Sequence, residues 1–365
     1  MNILQDEATA GEFLFSFMFF NVAMLVSFIC ARKKQNCVFV WVLALLFCIY
    51  AFWDTDYYSF RYIFFHLTPS FRDPLYYYLA YISLGSYSIY RLIIWGVAML
   101  LFYKTCNRFG VNKNLSVYIF VVFSLLTFSF ARASLGMALY FYGLSCLLKP
   151  NMNNRRTSYF SGIVFICLSY FGHRSMLPLI LLTPLAYIQI TKKRVFVLGC
   201  IFPVIVVAIR LVLQYFVKDN YAMGGQLSEF SDAVRGYATV RDFELNWKFK
   251  LITLLRNMSH YLICLYLLWS VWLKKQSIMI PPYIKGFVTM SVVISIIALA
   301  LSLSDVGVAS VTSKRYLYMT GIPLCISLAY TVQKGLCSWR MLNVLLMVSV
   351  LWAEGYFIGK IISHY

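Results

Sequence analysis

Apolar runs long enough to cross a bilayer recur from one end of this 365-residue chain to the other, and they leave few folds open. They fall at roughly 13–31, 38–53, 88–103, 115–131, 133–148, 159–173, 175–190, 195–217, 249–273, 286–303, 316–332 and 341–358. Soluble domains are about half apolar and a quarter charged, whereas this chain is 61% hydrophobic and only 12% charged. The pattern predicts an all-α polytopic integral membrane protein, one transmembrane domain over 1–365 with about twelve spanning helices, ten at the fewest. Nothing resembles a phosphate-binding loop or a dinucleotide fingerprint. The ten cysteines form no C-x-x-C and lie mostly inside apolar runs, so neither a disulfide framework nor a zinc site is expected. The acidic N-terminus, with Asp6, Glu7 and Glu12, does not read as a cleavable signal peptide, so the first span is expected to insert itself.

A net charge of +19 would in another chain point to nucleic acid. Here its distribution gives a different answer. Six connections carry short basic clusters: Arg32-Lys33-Lys34, Lys104/Arg108/Lys113, Lys149/Arg155/Arg156, Lys192-Lys193-Arg194, Lys274/Lys275/Lys285 and Lys334/Arg340. They hold 17 of the 32 basic residues and none of the 13 acids. Cytoplasmic loops accumulate Lys and Arg, so these six are predicted to face the cytoplasm and both termini to lie outside. The expected location is a bacterial inner membrane, with the lipid bilayer as partner and no nucleic acid. Two outer segments are long, about 54–88 and 218–248. The first contains "DPLYYYLAYISLGSYSIY", whose tyrosines and leucines predict an amphipathic helix at the outer interface.

Ionisable groups at membrane depth are costly unless paired or facing water, so the charges outside the basic loops are the candidates for function. Ten of those 15 basic residues are arginine, against six of 17 inside the loops. Arginine presents a rigid fork of donors that matches phosphate oxygens. An arginine-lined outer cavity therefore implies a ligand bearing phosphate or carboxylate. The stretch "FWDTDYYSFRYIFF" at 52–65 sets Asp54, Asp56 and Arg61 among aromatics that include Tyr57. Two such carboxylates can serve as general base or orient sugar hydroxyls, or they can simply pair with Arg61 or Arg72. Arg132 opens one span and His173-Arg174 close the next outward one, while Arg256 and His260 share a helical face four residues apart. Arg315 stands where the eleventh span begins. No dense oxygen cluster calls for a metal.

The order and sidedness of these features resemble the EpsG/Wzy-type polymerases of bacterial surface polysaccharides, the O-antigen and exopolysaccharide polymerases. The matching stretches are Asp54–Tyr57 with the downstream Asp73-Pro74-Leu75-Tyr76, the "R-x-x-L-x-x-A-L" start at Arg132, and the "H-x-S" at His173-Arg174-Ser175. Arg315 to Tyr318 matches a late span entry. Ala133 stands where the family commonly has glutamine after the arginine. The resemblance covers most of 40–330 and implies a membrane glycosyltransferase, similar in architecture to GT-C-type enzymes, that needs no cofactor. Its substrates would be undecaprenyl-pyrophosphate-linked oligosaccharides at the outer face, with flippase and chain-length regulator proteins as partners. On that resemblance, Arg132, Arg315, Arg256 and Arg61 would hold the pyrophosphate, with Arg174, His260 and Tyr57 lining the substrate site. His173, Asp54 or Asp56 would be the general base. The competing readings are a flippase or other transporter for the same lipid-linked glycan, a ligase joining polymer to its acceptor, and an O-acyltransferase. Against a transporter, no repeated halves with broken helices appear.

Overall fold

The computed structural model describes residues 8–33, 37–52, 55–65, 74–127, 131–188, 190–218, 247–274, 280–303, 313 and 316–364. Every regular element among them is helical. α1 (Ala10–Lys33) opens on a capping box in which the Thr9 N–H donates to Glu12 Oε2 at 2.8 Å and the Glu12 N–H donates to Thr9 Oγ1 at 3.3 Å. Three short helices follow, α2 (Val38–Ile49), α3 (Thr55–Phe65) and α4 (Pro74–Ile82). α5 (Tyr87–Phe109) is capped by Ser86 and stopped by Gly110 at φ 68°, a conformation glycine takes without steric cost. The remainder comprises α6 (Lys113–Thr127), α7 (Ala131–Leu148), α8 (Arg155–Gly172), α9 (Leu177–Leu182), α10 (Lys192–Lys218), α11 (Trp247–Leu268), α12 (Pro282–Leu303), α13 (Gly321–Gln333) and α14 (Trp339–His364).

Each of the twelve apolar intervals is helical over most of its described residues, but helix and crossing are different things. Among the described residues, α1, α5, α10, α12 and α14 are long and apolar enough to cross a membrane. Five other apolar helical stretches span 10–17 of the described residues. The interval 175–190 departs most from a regular helix. Prolines 178 and 184 divide it into a 3-10 turn (Arg174–Met176), α9 and a second 3-10 turn (Thr183–Tyr187). It nevertheless runs the depth of α7. His173 lies beside Gly136 near one end, and the Ala186 carbonyl lies beside Leu148 at the other, where both border Gly286. Twelve helical residues separate Gly136 from Leu148, about 18 Å. The chain is thus an all-helical, membrane-embedded protein.

The bundle is centred on helices that are apolar all round, the expected pattern for a helix with no solvent face. α13 is buried from Gly321 to Val332 and α6 from Asn114 to Phe123. α1 packs on α6, α2 and α14, α5 on α2 and α7, and α12 on α11 and α13. α7 and α8 form the closest pair, antiparallel and joined at glycines. A Cβ at Gly143 would stand 2.7 Å from the Gly162 carbonyl, and one at Gly172 would stand 3.2 Å from Gly136 Cα. Such small residues let backbones approach where no hydrophobic force drives helices together. α10 is the outlier: none of its residues from 192 to 211 is buried, and it packs on α12.

Five of the six basic connections meet at one end of the bundle. Arg108 donates to the Lys149 carbonyl at 3.0 Å, and the Lys149 ammonium lies over the Tyr283 ring at 4.7 Å. Gln333 bridges the Gly110 carbonyl and the Asn112 N–H at 3.1 and 2.8 Å, while Tyr266 donates to the Leu336 carbonyl. Arg32 stacks on Trp339 at 5.2 Å. With no acid in those loops, the cations settle on rings, as Lys113, Lys285 and Lys334 also do. This basic end gives the fold its polarity.

Candidate functional site

His173 caps the C-terminus of α8 at the end of the bundle away from the basic loops. Its Nδ1 accepts from the Ser175 backbone N–H at 3.1 Å and stands 2.6 Å from Ser175 Oγ. A backbone N–H can only donate, so Nδ1 carries no proton, and the Ser175 hydroxyl must donate to it as well. The neutral imidazole therefore bears its proton on Nε2. One ring nitrogen is thereby spent on holding the ring, and the other is a donor.

Gly136 explains how the ring comes to this place. A Cβ there would meet Met176 Cγ at 3.0 Å, the Ser169 carbonyl at 3.2 Å and His173 Cβ at 3.3 Å. Any side chain would push the histidine away from α7. One turn further along the same face is Tyr140, whose hydroxyl stands 3.0 Å from both the Leu179 carbonyl and Thr183 Oγ1. One turn back lies position 132. The face of α7 that begins at Arg132 is thus the face that receives His173 and the broken segment after it. α4, which opens on Pro74, packs against both α5 and α8.

The aromatic stretch from the first outer segment is folded inward over a buried cation. Arg91 has no exposed surface; its Nε donates to the Ile49 carbonyl at 2.9 Å, one Nη to Cys48 at 2.6 Å and the other to the Tyr87 hydroxyl at 3.3 Å. Those carbonyls are at the C-terminus of α2, where a cation also complements the helix dipole. The Tyr57 ring covers the guanidinium at 4.9 Å, and the rings of Phe52, Tyr58 and Tyr87 lie 5.1–5.3 Å from that of Tyr57. Tyr57 is buried, and that burial raises its phenol pKa against the lowering effect of Arg91. Arg61, on the same helix, is exposed.

The remaining candidates separate. His260 lies about midway along α11, fully buried, its ring 4.6 Å from that of Phe123 on α6. Asn257 and Ser259 beside it are buried too, and Asn257 Oδ1 and Ser259 Oγ have no hydrogen-bond partner among the described residues. This group belongs to the half of the bundle built from α11, α12, α13 and α14. His173 belongs to the half built from α4, α5, α7 and α8. Asp54 and Arg315 lie outside the described residues. Asp56, Arg132, Arg174 and Arg256 are placed by backbone alone, in α3, α7, the 3-10 turn and α11. Asp56 occupies the second position of α3.

Two contributors escape a reading of charges: Ser175, which fixes the imidazole, and Gly136, which admits it. The serine was visible in the "H-x-S" pattern; the glycine was visible only as an exact helical turn from Arg132. No known protein family, no curated protein and no solved structure matches the chain.

Proposed function

We propose that this chain is a polysaccharide polymerase of the bacterial cytoplasmic membrane, transferring a growing glycan from undecaprenyl pyrophosphate to a lipid-linked repeat unit at the outer face. The observation that carries the reading is the convergence of His173 with the face of α7 that starts at Arg132, at the end opposite the basic loops. Two of the motifs shared with EpsG/Wzy-type polymerases meet there, far apart in sequence and adjacent in the fold.

The chemistry follows from the residue types. A hydroxyl of the acceptor sugar attacks the anomeric carbon of the donor glycan and gives its proton to a base. The bond from that carbon to the pyrophosphate oxygen breaks, and the electron pair leaves with the pyrophosphate. Arginines at 132, 256 and 315 stabilise that charge, so no nucleotide is consumed. His173, with Nδ1 held by Ser175, offers Nε2–H as a further donor to the leaving group. The base is then a carboxylate, Asp54 or Asp56, and displacement by one sugar hydroxyl inverts the anomeric centre.

The test is the pool of lipid-linked glycans in cells that carry Arg132→Ala or His173→Ala. Polymer should disappear while single repeat units accumulate outside. Long chains at normal levels in both variants would remove these residues from the reaction, and single units trapped inside would make the protein a flippase.

A further inference from the structure

A cavity of about 510 Å3 lies between α10 and the facing parts of α11 and α12, within the ~300–1,000 Å3 of typical ligand pockets. Val195, Gly199 and Phe202 of α10 form one wall, with Leu265 of α11 and Val292 and Ile296 of α12 opposite. Gly199 marks the gap, because a Cβ there would have no neighbour within 4 Å. Packing of α10 on α12 therefore leaves a crevice that the protein does not fill. Void lining forfeits dispersion contacts, and walls this apolar do not hold water. The occupant along the walls has to be hydrocarbon.

One end of the crevice is of a different character. Arg194 lines it, and Lys192 and Lys193 precede it in the first turn of the 27-residue α10. The positive end of the helix dipole points the same way. This turn follows shortly after Ala186, which is level with Leu148 and so with the basic end of the bundle. An occupant with a hydrocarbon chain against Gly199 and a phosphate on Arg194 satisfies both ends. We propose that the crevice binds an anionic glycerophospholipid from the leaflet at the basic end, with one acyl chain wedged between α10 and α12. The site is separate from the polymerase reading and stands or falls without it.

Native mass spectrometry of the full-length protein, titrated with phosphatidylglycerol or phosphatidylcholine in detergent, tests this. Phosphatidylglycerol should fill one site more tightly than phosphatidylcholine. Arg194→Gln should weaken phosphatidylglycerol about fivefold, the factor for one basic residue at an anionic lipid surface, and leave phosphatidylcholine unchanged. Gly199→Phe should fill the crevice and abolish both; Gly199→Leu is the milder version if the larger ring impairs cooperative unfolding. Equal binding of the two lipids with no effect of Arg194→Gln overturns the proposal. So does full lipid retention in both Gly199 variants, or a wild-type dimer that they convert to monomer, since a second copy would then cover the crevice.

Discussion

At Arg91 the membrane's demand for satisfied charge is met, among the described residues, by two carbonyls at a helix end, one phenol and an aromatic lid. Replacing it by methionine leaves those carbonyls buried and without their donors. Hydrogen bonds to a charged group contribute ~1.5–3 kcal/mol each, so Arg91→Met should destabilise the protein by about 3 kcal/mol or more, measured as unfolding in a calibrated denaturant series. Arg91→Lys should recover only part, because one ammonium cannot reproduce a planar fork. At His173 the expectation is spectroscopic. With 15N-labelled histidine and His173→Gln to assign the signal, Nδ1 should appear unprotonated and Nε2 protonated, and Ser175→Ala should keep that tautomer because the backbone donor remains. An unprotonated Nε2 would remove the donor role given to this ring. Such details were partly legible in sequence. Arg91 is one of the ten arginines outside the basic clusters, and "H-x-S" was visible. That the serine faces Nδ1 depends on a local turn, which residue types alone do not specify.

Helix pairs show the same division between what pattern predicts and what contact decides. Gly143 and Gly162 lie where a side chain would strike the facing backbone, whereas Gly96 and Gly355 meet nothing within 4 Å. Gly143→Val should therefore cost about 1–3 kcal/mol by overpacking. Gly96→Ala and Gly355→Ala should be neutral or stabilise by up to ~1 kcal/mol, since a helical glycine carries an entropic penalty. Thermal unfolding of the three variants side by side checks the contrast, and equal shifts would refute the packing account. The apolar intervals placed every long helix because period and length are local properties. They gave no warning that 175–190 is divided by Pro178 and Pro184, since hydropathy registers the prolines weakly and the break depends on backbone donors. Nor could they pair Gly136 with Gly172, a contact fixed by how two antiparallel helices cross.

For the whole molecule, sidedness is the property from which function follows, and the broken segment is where it can fail. The basic loops share one end, and His173, α3 and α4 belong to the other. Positive residues hold cytoplasmic loops in place during insertion, so this polarity should survive in the cell. Three exposed reporters define it: Leu84 after α4, Met152 between α7 and α8, and Lys193 at the start of α10. α5, α6 and α7 separate the first two, an odd number of crossings. α8 and the segment 173–187 separate Met152 from Lys193, an even number only if the broken segment passes right through. Cysteines substituted at the three positions and probed with a membrane-impermeant maleimide should therefore react differently. Leu84→Cys should label in intact cells, and Met152→Cys and Lys193→Cys only after permeabilisation. If Lys193→Cys labels from outside while Met152→Cys does not, the segment turns back within the membrane and every later helix is inverted. The cluster around His260 would then approach its surroundings from the opposite face, and the two halves of the candidate site could not serve one substrate.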